Sequence, residues 1–580
     1  MKLRPEEARA TRERLKTIAS ELGGEFEGYR AHLYEVAKHT QPRLGSDLTQ
    51  TKTNTVNGGN VSASTRRGGE MNGKLLDSRG ILASRTLANG MQQGMASPST
   101  PWFRLTVRDH ELKKNAAVKG WLGFVEERMY ALFSRTNFYN AAKDAYMQLG
   151  CFGTACSLFV ESRISDAVLF PLNIGTYHIG LDHELNPERL LRFMPMTVSQ
   201  LYQKFVPEYG EDCLPRVVRD AKRDNKLGTT YEVAHYIEPN DAMVFGRMDK
   251  LNKPYRSYYW LTSHDGPDNT FLSVGGFEER PFFAPRWDVT GGDTYGRSPG
   301  MDALPALRDL QLQQLRRAQS RDYVNGPPLQ APPSLGNRQV SLVPRSVTTV
   351  PINAAGGGIS PIFTVPPQIL QYMAADIEDV RGEVDRLFYA DLFMAITNMP
   401  GVQPRNLEEI ASRNEEALRQ LGPVVDRNQN EMLRPAIDRA YGILARMGEI
   451  PPPPDEIEGV ELEIEFVGVL AQMQRMIGVG SIERTAGFIG NLAAAYPEAA
   501  DKFDADAAID EYSDRVGIPA NIIRSDDQVA ELRQARAEQQ QAQMMANAAK
   551  PVADVANAAR LMSETDTGEG ESLLRRLLPV

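Results

Sequence analysis

Apolar residues recur near the start of the chain at steps of three and four: Leu15, Ile18, Leu22, Phe26, Tyr29, Leu33 and Val36. On a helical period these positions share one face, so the spacing predicts a long amphipathic helix packed on something large. Residues 42 to 70 lose that periodicity and turn to Ser, Thr, Asn and Gly, which predicts a long surface loop or a segment that orders on assembly. Helical patterning returns over about 71 to 95 and 110 to 148. Between them Phe103, Leu105 and Val107 alternate as a half-buried strand does. From Cys156 to Phe283 come short β-like runs, including Ser157 to Glu161, Tyr231 to Ile237 and Ser257 to Leu261, separated by Pro, Gly and Asn turns. The first half therefore reads as α+β within a mainly helical chain.

Near Asp302 the texture changes. Asp302 is a candidate helix cap, Pro305 is tolerable in a first turn, and helical composition persists to about Asn325. Residues 326 to 367 interrupt it with many prolines; Val340, Leu342, Val347 and Val350 suggest short strands, and Arg338 and Arg345 are the only charges. Pro367 suits the start of a second helix, on which Leu370, Met373, Ile377, Val380, Val384 and Leu387 follow a 3,4,3,4,3 spacing. That seam fits an internal core, a coiled coil or a contact repeated between identical chains. A structureless loop of this length is unusual inside a compact domain, so 326 to 367 reads as a small subdomain projected on two helical struts. Each strut, at about 36 Å, could span a bilayer. The charges Arg308, Asp309, Arg316, Arg317 and Arg321 exclude that, since each costs about 2.5 to 3.5 kcal/mol at mid-membrane. Thr397 to Pro404 is a helix-breaking loop, a long helix is expected from about Arg405 to Met447, and Glu461 to Val467 alternates like a strand. Val469 to about Lys550 reads as mostly helical, and Ser563 to Glu571 as an acidic, mobile end.

Composition narrows the function. At 580 residues and 42% hydrophobic content the chain can build two to four cores. With 75 acidic against 65 basic side chains it carries a net charge of -10, which supplies no general phosphate-neutralising surface. Cys151, Cys156 and Cys213 are too few for a disulfide framework or a four-ligand zinc site, so a reducing compartment fits. Met1 to Ala10 lacks the apolar run of a secretion signal, and no stretch is apolar enough for a membrane span.

The sharpest enzymatic candidate is Gly68-x4-Gly73-Lys74, a phosphate-loop spacing in which Leu75 replaces the magnesium-binding Ser/Thr and no buried strand precedes the glycines. It reads as a Gly-rich loop opening a helix. Cys151 and Cys156 read as small core residues, and His178, Asp182, His183 and Glu184 as a turn between strands. No HExxH or GxGxxG pattern occurs. The chain is therefore expected to be a structural subunit, not an enzyme, with no cofactor and no metal. The alternatives are a nucleotide-dependent DNA-handling enzyme using Gly68 to Lys74, and an internal virion protein ejected with DNA that binds membranes as a monomer.

Two segments carry a resemblance. Leu76 to Leu105 (LDSRGILASRTLANGMQQGMASPSTPWFRL), and Arg286-Trp287 followed by Tyr295 to Leu304 (YGRSPGMDAL), resemble the portal, or head-to-tail connector, proteins of short-tailed, T7-like bacteriophages. The likeness extends over nearly the whole chain. It implies the α+β, mainly helical portal fold, assembled as a ring of twelve at a capsid vertex through which double-stranded DNA passes without sequence specificity. On this chain it implies a wing over 1–301, a stem helix over 302–325, a clip over 326–367, a second stem helix over 368–391 and a tunnel loop over 392–404. The remainder is wing over 405–467, crown over 468–550 and a mobile tail over 551–580. Asn398, Met399, Pro400, Gly401, Val402 and Gln403 would face DNA. Arg338 and Arg345 would either grip phosphate at the channel mouth or pair with a neighbouring subunit, and interfaces use Arg readily. The implied partners are further copies of the chain, DNA, a terminase, a tail adaptor, and the major capsid and scaffold proteins, with no membrane. The expected place is the virion vertex after synthesis in the host cytoplasm. Net acidity suits a conduit, because strongly basic walls would hold DNA in deep wells.

Overall fold

The computed structural model describes residues 5–48, 73–109, 112, 115–162, 165–244, 246–247, 249–262, 271–330, 360–362, 364–397, 415–476, 479–493, 496, 498, 502–516, 529, 532–541, 557 and 560. They fall into two compact units, 1–478 and 479–580.

In the first unit, helix α1 (Pro5–Thr40) buries Leu15, Phe26, Leu33 and Val36 and half-buries Ile18, Leu22 and Tyr29, as its spacing predicts. The stripe is long enough to serve two cores. Leu15 packs with Leu191, Tyr236 and Trp260, whereas Phe26, Leu33 and Val36 pack with Phe152, Tyr177 and Ile179. Helix α2 (Arg79–Met95) follows, then strand β1 (Phe103–Val107), whose alternating burial matches the pattern of its residues. The helical stretch expected over 110 to 148 is two helices, α3 (Ala116–Arg135) and α4 (Phe138–Phe152). Asn137 explains the break. Its amide donates to the Leu169 carbonyl (2.7 Å) and accepts from the Leu169 N–H (2.9 Å), which ties this corner to a strand.

Strands β2 (Cys156–Ser162), β3 (Asp166–Leu172), β4 (Tyr177–Leu181) and β5 (Pro187–Thr197) come next. The stretch from 156 to 283 is not only strands and turns, as its runs suggested. It contains α5 (Val198–Tyr209) and α6 (Arg216–Arg223), and α5 opens with a reciprocal Thr197/Gln200 capping box. Leu201 and Phe205 of α5 are buried over the sheet with Val233 and Leu261. Strands β6 (Thr230–Pro239), β7 (Tyr255–Leu261) and β8 (Ser273–Phe277) complete an antiparallel five-stranded sheet in the order β4-β5-β6-β7-β8, and β9 (Phe282–Phe283) completes a second, ordered β3-β2-β9.

Ser298, not Asp302, caps the turn that leads into the first strut. Its hydroxyl accepts from Met301 N–H (3.1 Å) and donates to the Cys151 carbonyl (2.7 Å). A short helical turn, Pro299–Asp302, then hands over to α7 (Leu304–Asn325), with Pro305 in its first turn where no N–H is needed. Beyond α7, β10 (Leu329–Gln330) pairs antiparallel with β11 (Ser360–Pro361), and α8 (Pro367–Leu387) returns alongside α7. Val340, Leu342, Val347 and Val350 lie outside the described residues. Helix α8 stops at Leu387, short of the expected 391. Tyr389 adopts a left-handed φ of 52°, and a separate helix, α9 (Ala390–Thr397), occupies the first part of the expected tunnel segment.

The long helix expected up to Met447 is described from residue 415. It consists of α10 (Glu415–Asn428), a π turn (Gln429–Leu433) and α11 (Arg434–Met447). Pro435 lacks the N–H that a regular ladder would need there, and the widened turn lies just before it. Strand β12 (Leu462–Phe466) pairs antiparallel with β1, Phe103 opposite Phe466, and α12 (Val469–Met476) closes the unit. In the second unit α13 (Val479–Ala493) and α14 (Ala505–Val516) are described, with Arg533 forking onto Asp506 at 2.6 and 2.7 Å.

Candidate functional site

The strut pair is rooted in a core only at one end. On α7, Leu304, Ala306, Leu307 and Leu310 are buried, and from Leu312 onward no residue is. On α8 the predicted seam is used unevenly: Ile377 and Val384 are buried, whereas Leu370, Met373, Val380 and Leu387 are half-buried. The far half of the pair instead exposes Leu312, Leu315, Tyr323 and Val324 on α7 and Ile369 and Tyr372 on α8; Tyr372 is 71% exposed. A water-facing tyrosine among aliphatic residues on a narrow projection marks an incomplete surface.

A polar lock fixes the root. The Gln311 side-chain carbonyl accepts from Leu76 and Asp77 N–H (2.8 and 3.1 Å), and its amide donates to the Asp77 carbonyl (2.8 Å). Gln314 from α7 (2.8 Å) and Arg381 from α8 (2.6 and 3.1 Å) donate to one Asp77 carboxylate oxygen, so a single aspartate ties both struts together. Arg79 meets Asp385 through both carboxylate oxygens. Burial alone would raise the Asp77 carboxyl, but Arg381, the Arg79 N–H and Gln314 outweigh it and hold it below the ordinary range.

The same aspartate bears on the phosphate-loop candidate. Its second oxygen accepts from Arg79 N–H (2.8 Å), so the start of α2 already holds a carboxylate. Lys74 sits on an exposed turn five residues before α2, not in its first turn, and Gly68 is outside the described residues. The other chemical candidates disperse. Cys151, Cys156 and Cys213 are buried thiols, and burial pushes Cys151 and Cys156 up. His178 is buried against Phe26 and Phe193, whereas His183 lies on an exposed turn that Asp182 organises by accepting from Glu184 and Asn186 N–H (2.8 and 2.7 Å). No group of metal-ligating side chains occurs among the described residues.

Arg338, Arg345 and Asn398, Met399, Pro400, Gly401, Val402 and Gln403 lie outside the described residues. One feature absent from the sequence reading is the bond between Arg286 and Glu431. The guanidinium reaches Glu431 from two nitrogens (2.7 and 3.2 Å), the Arg286 N–H donates to the same carboxylate (2.8 Å), and a further guanidinium bond goes to the Leu185 carbonyl (2.7 Å). Glu431 stands in the π turn, so this pair pins the middle of the long helix to the segment that precedes the struts. The Arg286-Trp287 dipeptide was legible; its partner 145 positions away was not.

A model of the family described as bacteriophage head to tail connecting protein matches residues 12–523. The chain is 36% identical over 567 residues to a portal protein of Salmonella phage epsilon15, covering 98% of each chain. It is 38% identical over 540 residues to a probable portal protein of Bordetella phage BPP-1, covering 92% of this chain and 93% of that one. Among solved structures it is similar to a chain in the virion of a native gene transfer agent particle (TM-score 0.32, 12% identity, 76% of this chain and 90% of that one). No described helix is long and apolar enough to cross a membrane.

Proposed function

The chain belongs to the bacteriophage head-to-tail connecting protein family, and from that premise we propose that its copies close into a ring of twelve at a capsid vertex, where double-stranded DNA enters and leaves. The observation that carries this reading is the strut pair: locked at its root by Asp77, apolar on its far half, and leading through β10 and β11 into residues 331–359. An isolated chain gains nothing from exposing Leu312, Leu315 and Tyr372, whereas copies arranged about an axis cover them.

On this reading α7 and α8 form the stem, the segment between them forms the clip where terminase and then a tail adaptor dock, and residues 398–403 line the channel. The two sheets with α1 to α6 and the long helix form the wing, and the second unit forms the crown. The role is structural. The carboxylate already held at the start of α2 removes the setting in which Lys74 would cradle phosphate, so no ATP hydrolysis that depends on Lys74 is expected, and any background turnover should be the same in Lys74→Ala. The test of the ring is direct: purified protein imaged in negative stain, with mass photometry beside it, should give annular particles with a central hole and a mass many times 64.4 kDa. A uniformly monomeric chain, with and without scaffold protein, overturns the reading.

A further inference from the structure

The seam predicted on α8 is not the only one it carries. Ile369, Tyr372, Asp376, Asp379 and Glu383 follow the same 3,4,3,4 spacing one step around the helix, and all five are exposed. Two are large apolar residues nearest the clip, and three are acids nearer the root. Among the described residues Asp376, Asp379 and Glu383 form no ion pair, in contrast to Asp385 and Glu378 on the same helix, which hold Arg79 and Arg381. Helix α7 has the opposite character. It carries four arginines against two aspartates, and among the described residues only Arg308 forms an ion pair, with Glu35 at 3.2 Å. Arg316 and Arg321 are exposed and Arg317 is half-buried, and Leu312 and Leu315 stand exposed beside them.

We propose that these are the two halves of one joint: the acidic α8 stripe of each copy docks against the arginine-bearing α7 of the next, so that neighbour recognition along the struts is set by charge. The proposal rests on the ring reading above and adds to it the surface, its polarity and its partner. Within the chain the two halves stay apart: all five positions of the α8 stripe are exposed, and among the described residues no ion pair joins its acids to α7. A purely solvated face would account for the acids but not for Ile369 and Tyr372 continuing their spacing, and an acidic stripe is unsuited to DNA. Flanking charges of this kind set partner choice and orientation in helical bundles. Because the basic half and the acidic half sit on different helices, each copy can offer one half to either neighbour, and such a head-to-tail contact generates a ring when its rotation closes. The apolar residues supply adhesion, and the charges suppress wrong pairings.

The test uses full-length chains in two forms, Arg316→Glu/Arg317→Glu/Arg321→Glu and Asp376→Lys/Asp379→Lys/Glu383→Lys, with circular dichroism and thermal melts to show that each is folded. Alone, each form opposes like charges at every joint, and its ring fraction should fall by about tenfold or more at low salt. Mixed in equal amounts, they present opposite charges at every joint of an alternating ring, and rings should return with both chains in equal share by native mass spectrometry. The inference is overturned if either folded form assembles like the wild type, or if both fail and the mixture does not recover. A weaker version of each, Arg316→Gln and Asp379→Asn, guards against misfolding: both should shift the salt concentration for half-assembly downward, and no shift counts against the joint. The ring reading fails separately, through a wild-type chain that never assembles.

Discussion

Arg286 and Glu431 form a bidentate ion pair sealed inside the protein, with the arginine side chain 4% exposed and the glutamate 10%. Because both charges have left water, removing either strands the other. Arg286→Met and Glu431→Leu should each cost about 3 to 5 kcal/mol, while the double variant recovers part of the loss, since a buried pair replaced by apolar groups of similar size is often tolerated. Urea denaturation of the three variants measures this; a loss in the double equal to the sum of the two single losses would show that the pair carries little coupling. Helix α11 has its own surface link to the sheets, Arg446 bonded to Glu161 and Glu279, so the damage should centre on the π turn.

Asp77 makes an acid-sensitive root. Its carboxyl is depressed in the folded chain, so the stability it lends is complete above the ordinary carboxylate range and is lost as pH falls through the lower, folded value. Asp77→Asn removes that dependence and, among the described residues, leaves Arg381 with the exposed Glu378 as its one carboxylate, at a cost of about 1 to 3 kcal/mol near neutrality. The check is the melting temperature followed from neutral pH downward. The wild-type advantage over Asp77→Asn should shrink on the acid side, and a constant gap would contradict the assignment.

What could be read from the order of residues was local. The stripe on α1, the alternation of β1 and β12 and the two struts follow from spacing alone, because each obeys one period over its own length. The pairing of Phe103 with Phe466 does not, since nothing within either strand names a partner so far along the chain. Helix α5 was legible through Thr197 and Gln200 but hidden among strand-like runs. The exposed stripe on α8 leaves no trace in the apolar periodicity because three of its five positions are acids. Arg338, Arg345 and Asn398 to Gln403, which the resemblance singled out, lie outside the described residues.

Tyr259 should titrate early. Burial alone raises its phenol, but Lys204 and Arg192 outweigh that and lower it below 10, while His235 lies stacked on the ring at 3.8 Å. Arg192 donates to His235 Nδ1 (2.9 Å), which leaves the other ring nitrogen to carry the proton toward Ser257 (2.9 Å), and burial keeps the imidazole neutral. Ultraviolet difference titration at alkaline pH should reveal a phenolate forming ahead of the other tyrosines, and Tyr259→Phe should delete that early step. An unchanged early step in the variant would assign it elsewhere.

Two glycines on helices should respond in opposite directions to the same change. A Cβ on Gly90 of α2 would collide with the Phe393 side chain of α9, whereas one on Gly120 of α3 meets nothing within 4 Å. Neither position needs a left-handed backbone. Gly90→Ala should therefore destabilise the chain by about 1 to 3 kcal/mol through overpacking. Gly120→Ala gains helix propensity and a stiffer unfolded chain, and should stabilise by about 0.5 to 1 kcal/mol. Denaturation midpoints separate the two. Because α9 leads directly to the residues expected to line the channel, Gly90→Ala carries a second consequence: pushing Phe393 outward should increase proteolysis after Thr397 while cleavage elsewhere in the first unit is unchanged. A stable Gly90→Ala chain with the wild-type digestion pattern would show that the notch under Phe393 is not needed to seat α9.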